Sequence, residues 1–225
     1  MCLENFLSFI SIFILLSFLF YLLSDYIILD TFINYNVNGK IYKVLDNNEN
    51  SDIAAQILHK VDNNLLLLID YINNKYQNID TMDNINPRKK TIINKILKRL
   101  NIRYKSESLK ENFPSKPGKD VSYNLNKGNI ISLCLRNFTN PNEFHQFNDI
   151  LFVSIHELAH SCNISYGHDL SFWYIFRFLL ENAIEAGIYK NVNYRNNNVN
   201  YCSMKITYNP IYDKSLDDEI YLNKI

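Results

Sequence analysis

Apolar positions along this chain are unevenly spaced, and their spacing marks out the elements. No residue from Asn5 to Ser24 is charged, and Phe6 to Leu23 is almost continuously apolar. As a helix, about 20 such residues span about 30 Å, the thickness of a bilayer's hydrocarbon core. A cleaved signal peptide prefers a basic start and a small-x-small cleavage site, and this segment has neither. Apolarity on every side also argues against an amphipathic core helix. The pattern therefore predicts a transmembrane anchor within residues 1–30. Farther on, residues 39–45 alternate as a short strand. Behind Ser51, which reads as an N-cap, Ala54, Ile57, Leu58, Val61, Leu65, Leu68, Ile69 and Ile72 recur at helical spacing, predicting a helix over about 51–76. A second helix, about 88–103, follows a break at Asn84–Pro87 and carries Ile92, Ile93, Ile96, Leu97 and Leu100 on one face.

Residues 113–119 are a Pro-containing loop. Val121–Asn126 and Ile130–Leu135 flank Lys127-Gly128-Asn129 and read as a hairpin. Two further helices are expected over about 142–163 and 170–186, the second stopped by Gly187. The Asn- and Tyr-rich remainder holds short extended pieces such as 201–206. With 225 residues there is room for the anchor, one domain (36–213) and a tail (214–225).

Charge changes this picture little. Net charge is zero, so the whole chain has no pull toward nucleic acid or anionic membrane. Residues 88–110 are the exception, with nine Lys or Arg and one Glu. That stretch is either a contact for nucleic acid or anionic lipid, or the solvated face of an amphipathic helix. The lack of interleaved aromatics favours the solvated face. Asn is so abundant that single Asn residues carry little signal. Of the four cysteines, Cys2 precedes the apolar run. The odd number left (Cys134, Cys162, Cys202) argues against a disulfide framework and for a reducing compartment. Lys40 and Lys43, the nearest basic residues beyond the anchor, lean the same way, toward a single-pass protein with its domain in the cytosol.

The chemistry is concentrated in His156-Glu157-Leu158-Ala159-His160. On a helix, positions i and i+4 share a face, so His156 and His160 can direct their imidazoles at one zinc ion. Glu157 lies about 100° around the helix and can serve as general base toward a water that the ion acidifies. A catalytic zinc takes a third protein ligand and keeps one position open. His168 is the leading candidate. Asn163 and Gly167 both tolerate left-handed backbone and can turn the chain back toward the metal. Glu185 or Glu181 on the next helix are rivals, followed by Asp169. His59 and His145 are expected to be structural or exposed. Tyr166 and Tyr201 are each able to offer a phenol to an oxyanion.

This motif, with Gly167-His168-Asp169 and Phe172-Trp173, resembles the WLM family of small zincin metallopeptidases and, more distantly, the SprT-like proteases. WLM-like proteins of large DNA viruses are more similar still, sharing the Tyr123–Gly128 hairpin, Gly187-Ile188-Tyr189, and Tyr201-Cys202 with Met204. The resemblance implies an α+β minimal zincin fold, a small twisted sheet packed on the metal helix and two or three others. It also implies one Zn2+, peptide-bond hydrolysis in protein or peptide substrates, and a substrate-side edge strand ending at Leu133–Arg136. Seven residues separate His160 from His168, a longer gap than WLM spacing, which leaves the third ligand open. Met204 is taken as core rather than as a Met-turn. The alternative is a catalytically silent module of the same fold that binds nucleic acid or anionic membrane through 88–110.

Overall fold

The computed structural model describes residues 12–18, 32–46, 50–113 and 121–223. Strand β1 (Phe32–Val37) turns through Asn38-Gly39 into β2 (Lys40–Leu45), with Phe32 opposite Leu45 and Val37 opposite Lys40. Both turn residues are left-handed, at φ 52° and 83°, and Asn and Gly supply that backbone at low cost. Helices α1 (Ser51–Lys75) and α2 (Pro87–Arg103) then cross over, and β3 (Leu109–Asn112) returns parallel to β2. An antiparallel pair follows, β4 (Tyr123–Leu125) and β5 (Ile130–Cys134). Because β5 inserts parallel to β3, the sheet order is β1-β2-β3-β5-β4. The edge strand beside the metal helix is therefore β4. The run ending at Leu133–Arg136, expected at that edge, lies inside the sheet.

The metal helix α3 (Phe147–Cys162) and α4 (Leu170–Glu185) follow. A separate two-stranded hairpin, β6 (Val199–Tyr201) and β7 (Met204–Ile206), comes after them. Helix α1 buries Ala54, Leu58, Val61, Leu65, Leu68 and Ile72 completely, and these join Ile155, Leu158 and Leu179 in one core. The architecture is thus a mixed α+β fold. The chain end does not stay apart. Helix α5 (Asp218–Tyr221) docks through Tyr221, which stacks on Tyr174 at 3.9 Å, and through a Lys89–Asp218 ion pair.

Four sequence expectations change. Ser51 is the first helical residue rather than the N-cap; Asn50 caps α1 in a left-handed conformation, while Ser51 Oγ donates to Leu45 O at 2.7 Å. Cys134 and Cys202 are joined as a disulfide, their Cα atoms 6.5 Å apart, whereas Cys162 is free and buried. The pairing spans 68 residues, so only the tertiary fold brings the two together. Met204 is half exposed rather than core. Finally, among the described residues no helix is long and apolar enough to cross a membrane. Residues 12–18 are helical. The rest of 5–24 lies outside the described residues, as does most of the 113–119 loop. The single-pass membrane localisation is corrected accordingly, and the cytosolic orientation inferred from it falls too.

Candidate metal centre

Helix α3 carries His156, Glu157 and His160, and its far face is buried against the sheet through Ile150, Leu151, Ile155 and Leu158. Beyond Cys162 the chain leaves the helix at Asn163, whose backbone is extended. Gly167 alone takes the left-handed conformation, at φ 86°. Asn163 acts instead through its side chain. Its Oδ1 accepts from Ile164 N and Ser171 Oγ, and its Nδ2 donates to Ser165 Oγ and Asp169 Oδ1. Asp169 caps α4, accepting from Phe172 N at 2.9 Å. Burial works to raise its pKa. Hydrogen bonds from Ser165, Phe172 N, Ser171 and Asn163 outweigh that and hold the carboxyl at about 2. This network fixes the turn that carries His168 back over α3.

The three histidines converge. His168 Nε2 lies 2.9 Å from His156 Nε2 and 3.1 Å from His160 Nε2. No proton assignment turns both approaches into good hydrogen bonds, because an imidazole nitrogen presents one proton or one lone pair. A single cation accepts all three lone pairs. Zn–N bonds of 2.0–2.1 Å in a tetrahedron put the nitrogens about 3.4 Å apart, close to what is seen. Phe172 and Phe176 form an aromatic floor, with Phe172 stacked on His160 at 4.2 Å and Phe176 edge-on to His156 at 5.1 Å. Trp173 stacks on His168 at 5.5 Å. Burial, then the neighbouring imidazoles, depresses the pKa of His156 far below normal; burial, His168 and Lys127 bring His160 to about 4; burial lowers His168. All three are neutral near pH 7, the form that binds a metal.

Glu157 is buried and faces the same cleft as His156 and His168. The cleft, about 520 Å³, is lined by Val121 and Ser122 ahead of β4, by Phe152, Trp173 and Phe176, and by Ser203 to Tyr208. Three converging histidines, two of them lining an open cleft, match the ligand arrangement of a catalytic zinc rather than a closed structural one. The rival ligands are engaged elsewhere. Glu185 pairs with Lys75, Glu181 pairs with Arg177 at 2.8 Å, and Asp169 is the cap. Neither tyrosine offers its hydroxyl to the cleft, although Tyr201 lines it. Tyr201 OH is buried and donates to Cys134 O, and Tyr166 is 81% exposed beneath Lys127. His59 bonds with Asn63 and Tyr42, and His145 accepts from Cys202 N.

Two positioning residues escape a sequence reading. Asn124 in β4 donates to Glu157 O at 2.7 Å and to Ser161 Oγ at 2.6 Å, and accepts from Gly128 N, tying the edge strand to the metal helix. Its neighbourhood to a Gly turn was the only signal, and the abundance of Asn masks it. Tyr208 lines the cleft against Trp173, its hydroxyl donating to Asp213. Along α2 the basic side chains are largely used internally. Arg88 donates to Leu222 O, Lys90 to Asp80 O, Arg99 to Cys162 O and Arg103 to Ser161 O.

The WLM domain model matches residues 38–207. Uncharacterized protein R325 of Acanthamoeba polyphaga mimivirus is 31% identical over 176 residues, covering 78% of this chain and 82% of that protein. Uncharacterized protein 136R of Invertebrate iridescent virus 6 is 33% identical over 69 residues, 30% of this chain and 38% of that one. Among solved structures, a mutant of Wss1 from Saccharomyces cerevisiae aligns with a TM-score of 0.40 at 20% identity, over 65% of this chain and 92% of that one. The domain match over most of the length, together with a relative aligned along most of both chains, means that this chain belongs to the WLM domain family.

Proposed function

We propose that this chain is a zinc-dependent metallopeptidase acting on protein or peptide substrates. The observation that carries the reading is the convergence of His156, His160 and His168 beside Glu157 in an open cleft. A zinc ion held by the three imidazoles supplies Lewis acidity toward a water and a carbonyl oxygen. Glu157 has the residue's share of the work. Its carboxylate takes the proton from the attacking water and passes it to the leaving amine nitrogen. Strand β4 ends the sheet, so its outer edge offers backbone pairing to an extended peptide passing Val121 and Ser122 toward the histidines. The apolar walls exclude water from that path. A silent binding module built on 88–110 finds less support, because Arg88, Lys90, Arg99 and Arg103 already serve backbone carbonyls.

The test is metal analysis and peptide hydrolysis with the purified chain. One zinc per chain is expected, lost in His156→Ala. Glu157→Gln should retain zinc and lose about 100-fold or more in rate. A chain without stoichiometric zinc, or a Glu157→Gln variant that still cleaves, sinks the reading.

A further inference from the structure

The cleft wall opposite the metal helix is the β6–β7 hairpin and the residues after it, Ser203 to Tyr208. That hairpin lies outside the main sheet. Its turn is Cys202-Ser203, and Cys202 takes a left-handed conformation at φ 53°. A cysteine costs about 1 kcal/mol or more in that backbone relative to Gly, and Asn is also better suited to it. Strain kept at one position points to a side chain that the position needs. What the side chain does is visible. Cys202 is bonded to Cys134, the last residue of β5, so the turn is stapled to the sheet.

His145 supports the turn. Its Nε2 accepts from Cys202 N at 2.9 Å and lies 3.4 Å from Cys202 Sγ, while its ring stacks on Tyr201 at 4.6 Å. Cys134, His145 and Cys202 also form a group of metal-ligand type. A structural zinc, however, takes four protein ligands. Here the described residues bring only three together, and the His145 Nε2 lone pair is already occupied. Thiol–disulfide chemistry fits better than a second ion. Cys134 is fully buried and Cys202 is 8% exposed, so an external reagent meets Cys202 first, through local opening of the turn.

We propose that Cys134 and Cys202 are a reversible thiol–disulfide site, taking dithiols and small disulfides as reagents, whose state sets how firmly the β6–β7 wall of the cleft is held. In reduction, a dithiol's thiolate attacks Cys202 Sγ, the protein S–S bond breaks, and Cys134 Sγ leaves and takes a proton. The reagent's second thiolate then displaces Cys202 Sγ, which is protonated in turn. Two electrons and two protons enter the protein and the dithiol becomes a disulfide. A small disulfide runs the exchange backward. With the staple open, the hairpin keeps the Tyr201 hydroxyl bond to Cys134 O and the buried Ile206, and its exposed strand β7 loosens first.

The test needs no peptidase activity and so stands or falls apart from it. The native full chain is oxidised with glutathione disulfide or reduced with dithiothreitol, then alkylated and mapped by mass spectrometry. Cys134 and Cys202 peptides are expected linked in the first state, free in the second, and relinked on reoxidation. Limited trypsin cleavage after Lys205, exposed in β7, should be about tenfold faster in the reduced chain, as for any locally opened segment. The doubly substituted Cys134→Ser, Cys202→Ser chain should cut at the faster rate with or without reductant. Should that variant not fold, the two states of the native chain give the comparison alone. Failure to relink, equal cutting at Lys205 in both states, or a second zinc per purified chain released by alkylation would overturn the proposal.

Discussion

Each of the three histidines is a neutral base near pH 7, and burial is what keeps it so. His160 is drawn down to about 4, and His156 and His168 shift in the same direction. In an unfolded chain the same imidazoles take protons near pH 6.5. The unfolded state therefore binds more protons between about 6.5 and 4, and metal-free native protein loses stability as pH falls through that window. Thermal unfolding of the metal-free chain at pH 7 and pH 4.5 should show the lower midpoint at the acid pH; equal midpoints would mean the imidazoles are hydrated rather than buried. Asn124 sets the distance between β4 and Glu157. Asn124→Ala removes the donor shared by the Glu157 carbonyl and the Ser161 hydroxyl and should cost about 1–3 kcal/mol in denaturant unfolding. If it also lowers turnover with zinc content intact, the edge strand is positioning substrate as well as holding the helix.

At the scale of elements, the local code was readable wherever periodicity was strong. Helix α1 spans Ser51–Lys75 where the pattern predicts about 51–76, and α4 spans Leu170–Glu185 with Gly187 left-handed beyond it. The hairpin turn was readable for a steric reason. At Gly128, with φ 112°, a Cβ would come within 2.6 Å of Arg103 O. Strand β1 was missed because the polar half of its alternation, Asn34 and Asn36, is made of a residue too common in this chain to carry a signal, and α3 begins at Phe147, later than expected, because residues 142–146 bridge back to the sheet instead, with Phe144 opposite Arg136. Helix α4 shows how an element positions the proposed third ligand. Its cap, Asp169, is one residue from His168, so the cap and the ligand turn are one structure. Asp169→Ala should lower stability by about 1–2 kcal/mol and weaken zinc binding by about tenfold or more. Competition with a chromophoric chelator measures the second effect; unchanged affinity would show that His168 is held by Trp173 stacking alone.

Across the whole molecule, sequence-distant pairings decide what periodicity cannot. The order β1-β2-β3-β5-β4, the docking of α5 on Tyr174 and the 68-residue disulfide loop all join segments with no local signature. Motif spacing marked out the histidines that the fold brings together; the walls of their cleft come from the distant pairings and were not readable. The disulfide loop also has a global cost when opened. Closing 68 residues restricts the unfolded chain by about 4 kcal/mol in the chain-entropy account. The oxidised protein should therefore unfold at clearly higher urea than the Cys134→Ser variant, and coincident transitions would place that entropy elsewhere. Trp173 is the chain's single tryptophan, and it stacks on His168. All of the protein's indole fluorescence thus originates beside one proposed metal ligand. A protonated imidazole quenches indole emission more strongly than a neutral one, so the unlabelled chain carries its own optical gauge of ligand protonation and metal loading.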